Sequence, residues 1–200
     1  TELVKYLNTK PEHTVIPLKR TDFDIVSAKT TPILENIDYV IHTAGFVDTF
    51  GCENHPDKAM DVNVKGTINV VNFTNNLNAK LIYISSEYVF SGETGNYTIH
   101  DRLNPINVYG KTKAASEYIV SICKKYQIIR CQNKKKIHDA AFTDQICNRY
   151  FVTELPEKII NNILYNSEHI VHITGEIDTV YNLYKKHGDA VKAMKAAINT

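Results

Sequence analysis

The chain has 200 residues, 43% of them hydrophobic, and a formal net charge of +1 at pH 7. That suffices for one domain, or one domain with a small appendage, around a packed core, and gives no general pull toward nucleic acid or a membrane surface. No apolar run approaches the roughly 20 residues that span a bilayer, and no signal-peptide pattern opens the chain. The four cysteines (Cys52, Cys123, Cys131, Cys147) show no paired spacing, so a reduced, cytoplasmic compartment is expected in place of a disulfide scaffold.

Residues 2–9 read as the end of a helix stopped by Pro11, and Thr14–Leu18 as a short strand. Asp38–Thr43 is a second strand, ending at Ala44-Gly45. Residues 56–78 carry Ala59, Val62, Ile68 and Val71 at helical spacing, although Gly66 and the β-branched residues weaken the pattern. Leu81–Ile84 is a strand that runs into Ser85-Ser86, residues 109–126 a helix, and Ile128-Ile129 a strand. From about residue 131 the pattern loosens. Asn133–Lys136 is a basic run, read as a solvated loop; residues 156–166 look helical, residues 169–174 a strand, and residues 178–198 one or two helices. His169 and His172 flank an apolar pair in that strand and are not expected to bind metal.

Strand and helix alternate, and the strands are almost continuously apolar. That is the pattern of a Rossmann-like, doubly wound parallel sheet covered on both faces. In such sheets ligands sit beyond the carboxyl ends of the strands, where Ala44-Gly45, Ser85-Ser86 and the residues after Ile129 all fall. The expected division is a dinucleotide-binding part over 1–130 and a smaller substrate-binding, C-terminal region over 131–200.

Three Tyr-x-x-x-Lys spacings occur: Tyr6/Lys10, Tyr109/Lys113 and Tyr181/Lys185. The first straddles a helix end and the third sits in a lysine-rich terminal segment, so both read as solvated surface pairs. Only Tyr109/Lys113 follows a strand with terminal hydroxyls and opens a helix. A ketone reduction needs a hydride donor on one face and a proton donor at the oxygen. Free tyrosine has a pKa of about 10, and a lysine one helical turn away would favour the phenolate. Tyr109 is therefore read as the general acid, Lys113 as its electrostatic partner, and Ser86 as a hydrogen-bond donor to the carbonyl oxygen. Ser85 reads as the structural member of the serine pair.

Several blocks carry a family resemblance: Val40–Gly45, Cys52-Glu53 with Asp61–Gly66, Ile84–Gly92, Asn104–Lys113, Ile128–Arg130 and Asp144-Gln145. With them the chain resembles the extended short-chain dehydrogenase/reductase superfamily, and within it the dTDP-4-dehydrorhamnose reductase family. The resemblance implies an NADPH-dependent reductase of a nucleotide-linked 4-keto-6-deoxy sugar in deoxysugar biosynthesis. It assigns catalysis to Ser86, Tyr109 and Lys113, with Tyr109 and Lys113 also touching the cofactor. Asp24 and Ile25 fall at the adenine-side contact, Ala44 and Gly45 pack under the cofactor, and Val47, Ser86, Glu87 and Tyr109 face the nucleotide-sugar substrate. Lys19 and Arg20 follow the Thr14–Leu18 segment where a cation accommodates the phosphate that distinguishes NADP from NAD, so NADPH is favoured over NADH.

Two departures qualify the resemblance. None of the eight glycines forms the glycine-rich turn that receives a cofactor pyrophosphate. The chain is expected to begin inside the helix after that turn, and to lack part of the segment that usually separates the Ile129 strand from Asp144-Gln145; a degenerate, cofactor-free relative is the rival. Dehydratases on this fold need Asp then Glu after the hydroxyl residue, whereas here Glu87 precedes Tyr88. A sugar-nucleotide epimerase, or a non-catalytic regulatory subunit resembling that of methionine adenosyltransferase, stays open. A homodimer is expected through helices 56–78 and 109–126, with Ile119, Val120 and Cys123 facing the parent sheet and Ala115 and Tyr118 facing the mate.

Overall fold

Four parallel strands in the order β1-β2-β3-β8 form the frame on which every other element is hung. The structure, a computed structural model, describes residues 1–134, 140–186 and 192–195. In chain order the elements are helix α1 (Glu2–Leu7), strand β1 (Tyr39–His42), helices α2 (Thr49–Asn54) and α3 (Pro56–Ala59), a π-helical turn (Met60–Lys65) and helix α4 (Gly66–Leu77). Strand β2 (Lys80–Ser86), a 3₁₀ turn (Glu87–Val89), helix α5 (Val108–Val120) and strand β3 (Tyr126–Cys131) follow. The remainder comprises β4 (Asn133–Lys134), β5 (Ala140–Phe142), β6 (Ile146–Cys147), β7 (Tyr150–Phe151), α6 (Leu155–Tyr165), β8 (Ile170–Ile173), β9 (Asp178–Thr179), α7 (Val180–Lys186) and β10 (Lys192–Met194).

The sheet is parallel because each strand returns through a helix, and apolar because both faces are covered. On one face α4 and α5 bury Leu81, Tyr83, Val120 and Ile128 together with Phe23, Val70 and Phe73. On the other, α1 and α6 bury Ile82, Ile129 and Val171 with Leu3, Leu7, Ile159 and Ile163. The period-2 alternation of β2 thus sends Leu81, Tyr83 and Ser85 toward α4 and α5, and Ile82 and Ile84 the other way. Val120 and Cys123 lie in the first of these clusters with Ile119 packed against it, whereas Tyr118 is exposed and Ala115 half-buried.

A charged row crosses the sheet near its carboxyl edge. Strand register aligns Ser85 with Arg130 and Arg130 with His172. Glu117 of α5 comes down on this row: Arg130 donates from Nε and Nη2 to its carboxylate at 3.0 and 2.8 Å, and the Ser85 hydroxyl donates to it as well. Both members of the ion pair are 4% exposed. Arg130 also lies over the Phe90 ring, 5.1 Å from its centre. Its Nη1 is 3.3 Å from His172 Nε2. Arginine only donates, so that nitrogen accepts and His172 carries its proton on Nδ1.

Three expectations are corrected. Thr14–Leu18 is not a strand: no strand among the described residues is hydrogen-bonded beside it, and β1 is the edge of the sheet, so the segment runs extended with Val15 leaning on the α1/α6 core. The helix foreseen over 109–126 stops at Val120. Among the described residues, the one or two helices foreseen over 178–198 reduce to α7: Asp178–Thr179 pairs antiparallel with Ile146–Cys147, and Lys192–Met194 pairs with Ala140–Phe142. Residues 187–191 and 196–198 of that span, like Lys135 and Lys136 of the basic run, lie outside the described residues.

Removing one partner of a buried pair leaves an uncompensated charge, so Glu117→Ala should cost about 3–5 kcal/mol of stability in urea unfolding. The double replacement Glu117→Leu with Arg130→Met should cost much less, because it removes both charges and keeps the volume. A single variant that loses under about 1 kcal/mol would show that Arg130 finds another partner.

Candidate active site

Beyond the carboxyl ends of β1, β2 and β3 three loops meet the start of α5. β2 ends at Ser86, whose chain turns at once into the 3₁₀ turn, with the Ser86 hydroxyl accepting the Tyr88 N–H at 3.3 Å. The same hydroxyl donates to Glu87 Oε2 at 3.2 Å and lies beside the Tyr109 phenol. Helix α5 begins with the Asn107 side chain accepting the Gly110 N–H at 2.7 Å and the Glu53 carboxylate of α2 accepting the Val108 N–H at 2.7 Å. An anion at a helix N-terminus is favourable on both hydrogen-bonding and dipole grounds. Two independent caps thus fix the turn that carries Tyr109.

Gly110 sets how closely that turn approaches β2. A Cβ there would run into the Tyr88 carbonyl oxygen, and no side chain fits. With glycine, Tyr109 packs edge-on against Tyr88 with ring centres 5.7 Å apart, and its ring is 8% exposed. Burial pushes the phenol well above the ordinary tyrosine value, the Ser86 hydroxyl pulls it back, and the neighbouring Glu87 carboxylate raises it further.

Lys113 reaches from α5 to the strand beneath the site. Its Nζ donates to the Ile84 carbonyl at 2.7 Å and sits 4.0 Å from the centre of the Tyr83 ring. The largest influences on the phenol are burial, Ser86 and Glu87, followed by Cys131 and Cys52. Helical spacing places the lysine on the face of α5 that meets the sheet, where it reaches a strand carbonyl. Burial lowers the Lys113 ammonium to about 7, with Cys131 and Glu117 opposing.

Behind the lysine is a buried polar seam. In the π-helical turn the Asn63 carbonyl accepts the hydroxyls of Thr67 and Ser116 at 2.6 and 2.7 Å. The Asn63 side chain takes the Phe46 N–H at 2.7 Å and donates to the Phe46 carbonyl at 3.0 Å and to Thr112 at 2.9 Å. One residue thereby ties the loop after β1 to helix α5. His42 closes the seam: since Thr67 gives its proton to Asn63, its oxygen accepts from His42 Nε2–H at 3.1 Å. Burial and the Lys113 charge hold the imidazole down to about 3, hence neutral.

The other expected residues fall in two places. Ala44, Gly45 and Val47 are exposed in the loop after β1, and a Cβ on Gly45 would come 3.3 Å from Asn63 Oδ1. Lys19 and Arg20 are exposed in a turn remote from Ser86 in sequence; the Lys19 N–H donates to Asp22, and the Arg20 guanidinium is 3.5 Å from Asp24. Asp24 and Ile25 are half-buried, with the Ile25 carbonyl accepting from Asn69 at 2.7 Å and its side chain filling the room left by Gly66. Asn63, Glu53, Glu117 and Gly110 were missed as positioning groups. They stand inside the recognised blocks or one turn past Lys113, but nothing local says what they bond.

The model of the family described as the RmlD substrate binding domain matches residues 1–149. A dTDP-4-dehydrorhamnose reductase from Mycolicibacterium smegmatis is 33% identical over 115 residues, 56% of this chain and 35% of that protein. Methionine adenosyltransferase 2 subunit beta from Bos taurus is 42% identical over 81 residues, 40% of this chain and 24% of that one. The matches thus span 35% and 24% of these relatives' own lengths. The crystal structure of a dTDP-4-dehydrorhamnose reductase from Clostridium acetobutylicum superposes with a TM-score of 0.81 at 25% identity, covering 98% of this chain and 79% of that one.

Glu87 gives the site a pH signature. Burial raises its carboxyl from 4.5 to about 7. The folded chain therefore binds this proton more tightly than the unfolded chain does. The stabilisation is complete below about pH 4.5 and is lost as pH rises through about 7. Glu87→Gln removes this titration, so between pH 5 and pH 8 the melting temperature of the wild type should fall relative to that of the variant. Parallel melting curves across that range would refute the assignment.

Proposed function

We propose that this chain, which belongs to the RmlD substrate binding domain family, is an NADPH-dependent reductase of a nucleotide-linked 4-keto-6-deoxy sugar. The observation that carries the reading is the meeting of the Ser86 hydroxyl and the buried Tyr109 phenol at the carboxyl edge of the parallel sheet, with Glu87 against both. In this reading residues 1–130 serve the cofactor and residues 131–200 the substrate side.

The residues present fit two ends of such a cofactor. Gly45 offers backbone without a side chain beside Asn63, and Asp24-Ile25 packs against α4 on the same side of the sheet. Lys19 and Arg20 are the exposed cations available to the phosphate that distinguishes NADP from NAD. Bound NADPH would supply the hydride. Tyr109 would give its proton to the carbonyl oxygen: a phenol held above its ordinary value keeps that proton until negative charge develops nearby. Ser86 would donate a hydrogen bond to the same oxygen, exchanging Glu87 for the substrate. Lys113, by the family resemblance, would hold the nicotinamide ribose.

A second reading has its own support. The 42% identity to methionine adenosyltransferase 2 subunit beta is over a shorter stretch but higher than to the reductase. It leaves room for a protein that keeps the site and no turnover.

Steady-state reduction with NADPH and NADH separates the two. Wild type should turn over a 4-keto-6-deoxy nucleotide sugar, faster with NADPH. Tyr109→Phe should fold normally, bind cofactor and lose about 10²-fold or more in kcat. An unimpaired variant would remove Tyr109 from the chemistry, and a wild type that binds NADPH but reduces nothing would favour the regulatory reading.

Assembly belongs to the same proposal. Ile68 on α4 is 43% exposed, Tyr118 on α5 is 67% exposed and Ile122, two residues past the end of α5, is 76% exposed. These side chains suit a twofold mate, which would cover them on both copies at once. Light scattering at micromolar concentration should return a dimer mass, and a monomer would overturn it.

A further inference from the structure

Two neighbouring groups of β2 hold the Lys113 ammonium, and only one of them is a hydrogen-bond acceptor. The Ile84 carbonyl takes a proton from Nζ at 2.7 Å. The centre of the Tyr83 ring lies 4.0 Å from the same nitrogen. β1 stops opposite Tyr83, whereas β2 runs on beside β3 to Ser86. The alternation of β2 turns Tyr83 toward α4 and α5, so its ring meets the helix that carries Lys113. The tyrosine is 1% exposed and the lysine 6%.

An ammonium taken out of water is driven by burial toward the neutral amine. The face of an aromatic ring is the negative end of its quadrupole, and it attracts a cation within about 6 Å, most strongly where water is excluded. The other titratable groups around Lys113 are neutral or already paired. Glu117, one turn on along α5, favours the charge but is bonded to Arg130 at 2.8 Å. Tyr109, one turn back, is a phenol held above its ordinary value and so keeps its proton. Burial pushes the Cys131 thiol on β3 up to about 12, and His42 on β1 is held down to about 3, hence neutral. The Tyr83 hydroxyl lies near those of Ser116 and Thr67 and forms no hydrogen bond with either. What Tyr83 offers Lys113 is therefore the face of its ring.

We propose that Tyr83 is a positioning residue: its ring face and the Ile84 carbonyl form a socket that holds the Lys113 ammonium charged at the end of β2, two residues before Ser86. Removing the face leaves burial less opposed, so the neutral amine forms at lower pH. The use of that charge in turnover rests on the reductase reading above, whereas the socket itself does not.

The test follows the ammonium directly, by NMR titration of the Lys113 Nζ and Cε resonances in the intact protein, assigned by their loss in Lys113→Arg. It is run beside the pH profile of NADPH-dependent sugar reduction. The wild-type midpoint is expected near 7. Tyr83→Phe keeps the face and should keep that midpoint. Tyr83→Leu should lower it by about one pH unit, the scale of a desolvated cation–π contact. Leucine also leaves a cavity, so the decisive series replaces Tyr83 by phenylalanine carrying increasing numbers of ring fluorines, which drain the face and keep the ring. The midpoint should fall at each step, and the alkaline limb of the reduction profile should move down with it. A midpoint indifferent to fluorination, or one that Tyr83→Phe shifts as far as Tyr83→Leu, overturns the socket. A midpoint that falls while the reduction profile stays in place overturns the positioning role. A midpoint that falls in a protein that reduces no sugar upholds the socket and sinks the reductase reading.

Discussion

The buried ion pair between Glu117 and Arg130 fixes helix α5 on the sheet, and the candidate site depends on that placement. α5 carries Tyr109, Lys113 and Glu117 at successive four-residue steps, so all three share one face. Glu117 is the deepest of them, and its carboxylate takes two hydrogen bonds from Arg130 in a fork that tolerates little rotation or slide. Once it is seated, the phenol one end up and the ammonium between have no freedom to miss the strand ends. Such a pair is weak evidence for raw stability, since hydrophobic replacements often do as well. Its contribution here is register: a helix packed on β-branched and leucine side chains alone would have near-equivalent positions one turn apart.

The polar seam built on Asn63 does the same from the other side. Hydrophobic packing holds the helices near the sheet without direction, while the Asn63 amide demands two particular backbone groups of Phe46 and one hydroxyl of Thr112. The Asn63 carbonyl, in the π-helical turn, takes the hydroxyls of Thr67 and Ser116 as well. Every catalytic candidate therefore rests on buried groups whose alternatives would be unsatisfied, and an unsatisfied buried group is costly. That cost supplies the preorganisation the chemistry needs: Ser86 and Tyr109 stand together before any ligand arrives.

The electrostatics of the site follow burial more than pairing. Glu87 and Tyr109 are both pushed toward their neutral forms, and His42 and Lys113 are pushed toward theirs. A site of largely neutral donors and acceptors suits a polyhydroxylated substrate whose reacting group is an uncharged ketone. It also explains why Lys113 turns to a strand carbonyl: a desolvated ammonium takes the best acceptor within reach, and a protonated phenol is a poor one.

Much of this was legible along the chain. The apolar runs at β1, β2 and β3 pointed to a parallel sheet because strands covered on both faces are mostly apolar, and the hydroxyl-bearing end of β2 with Tyr109 and Lys113 pointed to the candidate site because strand ends and helix starts converge in such sheets. Thr14–Leu18 read equally well as a strand, and only the tertiary structure could refuse it, since a strand exists by virtue of a hydrogen-bonded neighbour that no local pattern reveals. The partners of Lys113 and Glu117 were likewise undecidable from spacing. A helix tells which face a side chain shares, but not which carbonyl or carboxylate waits opposite, because those are brought there by strands distant in sequence.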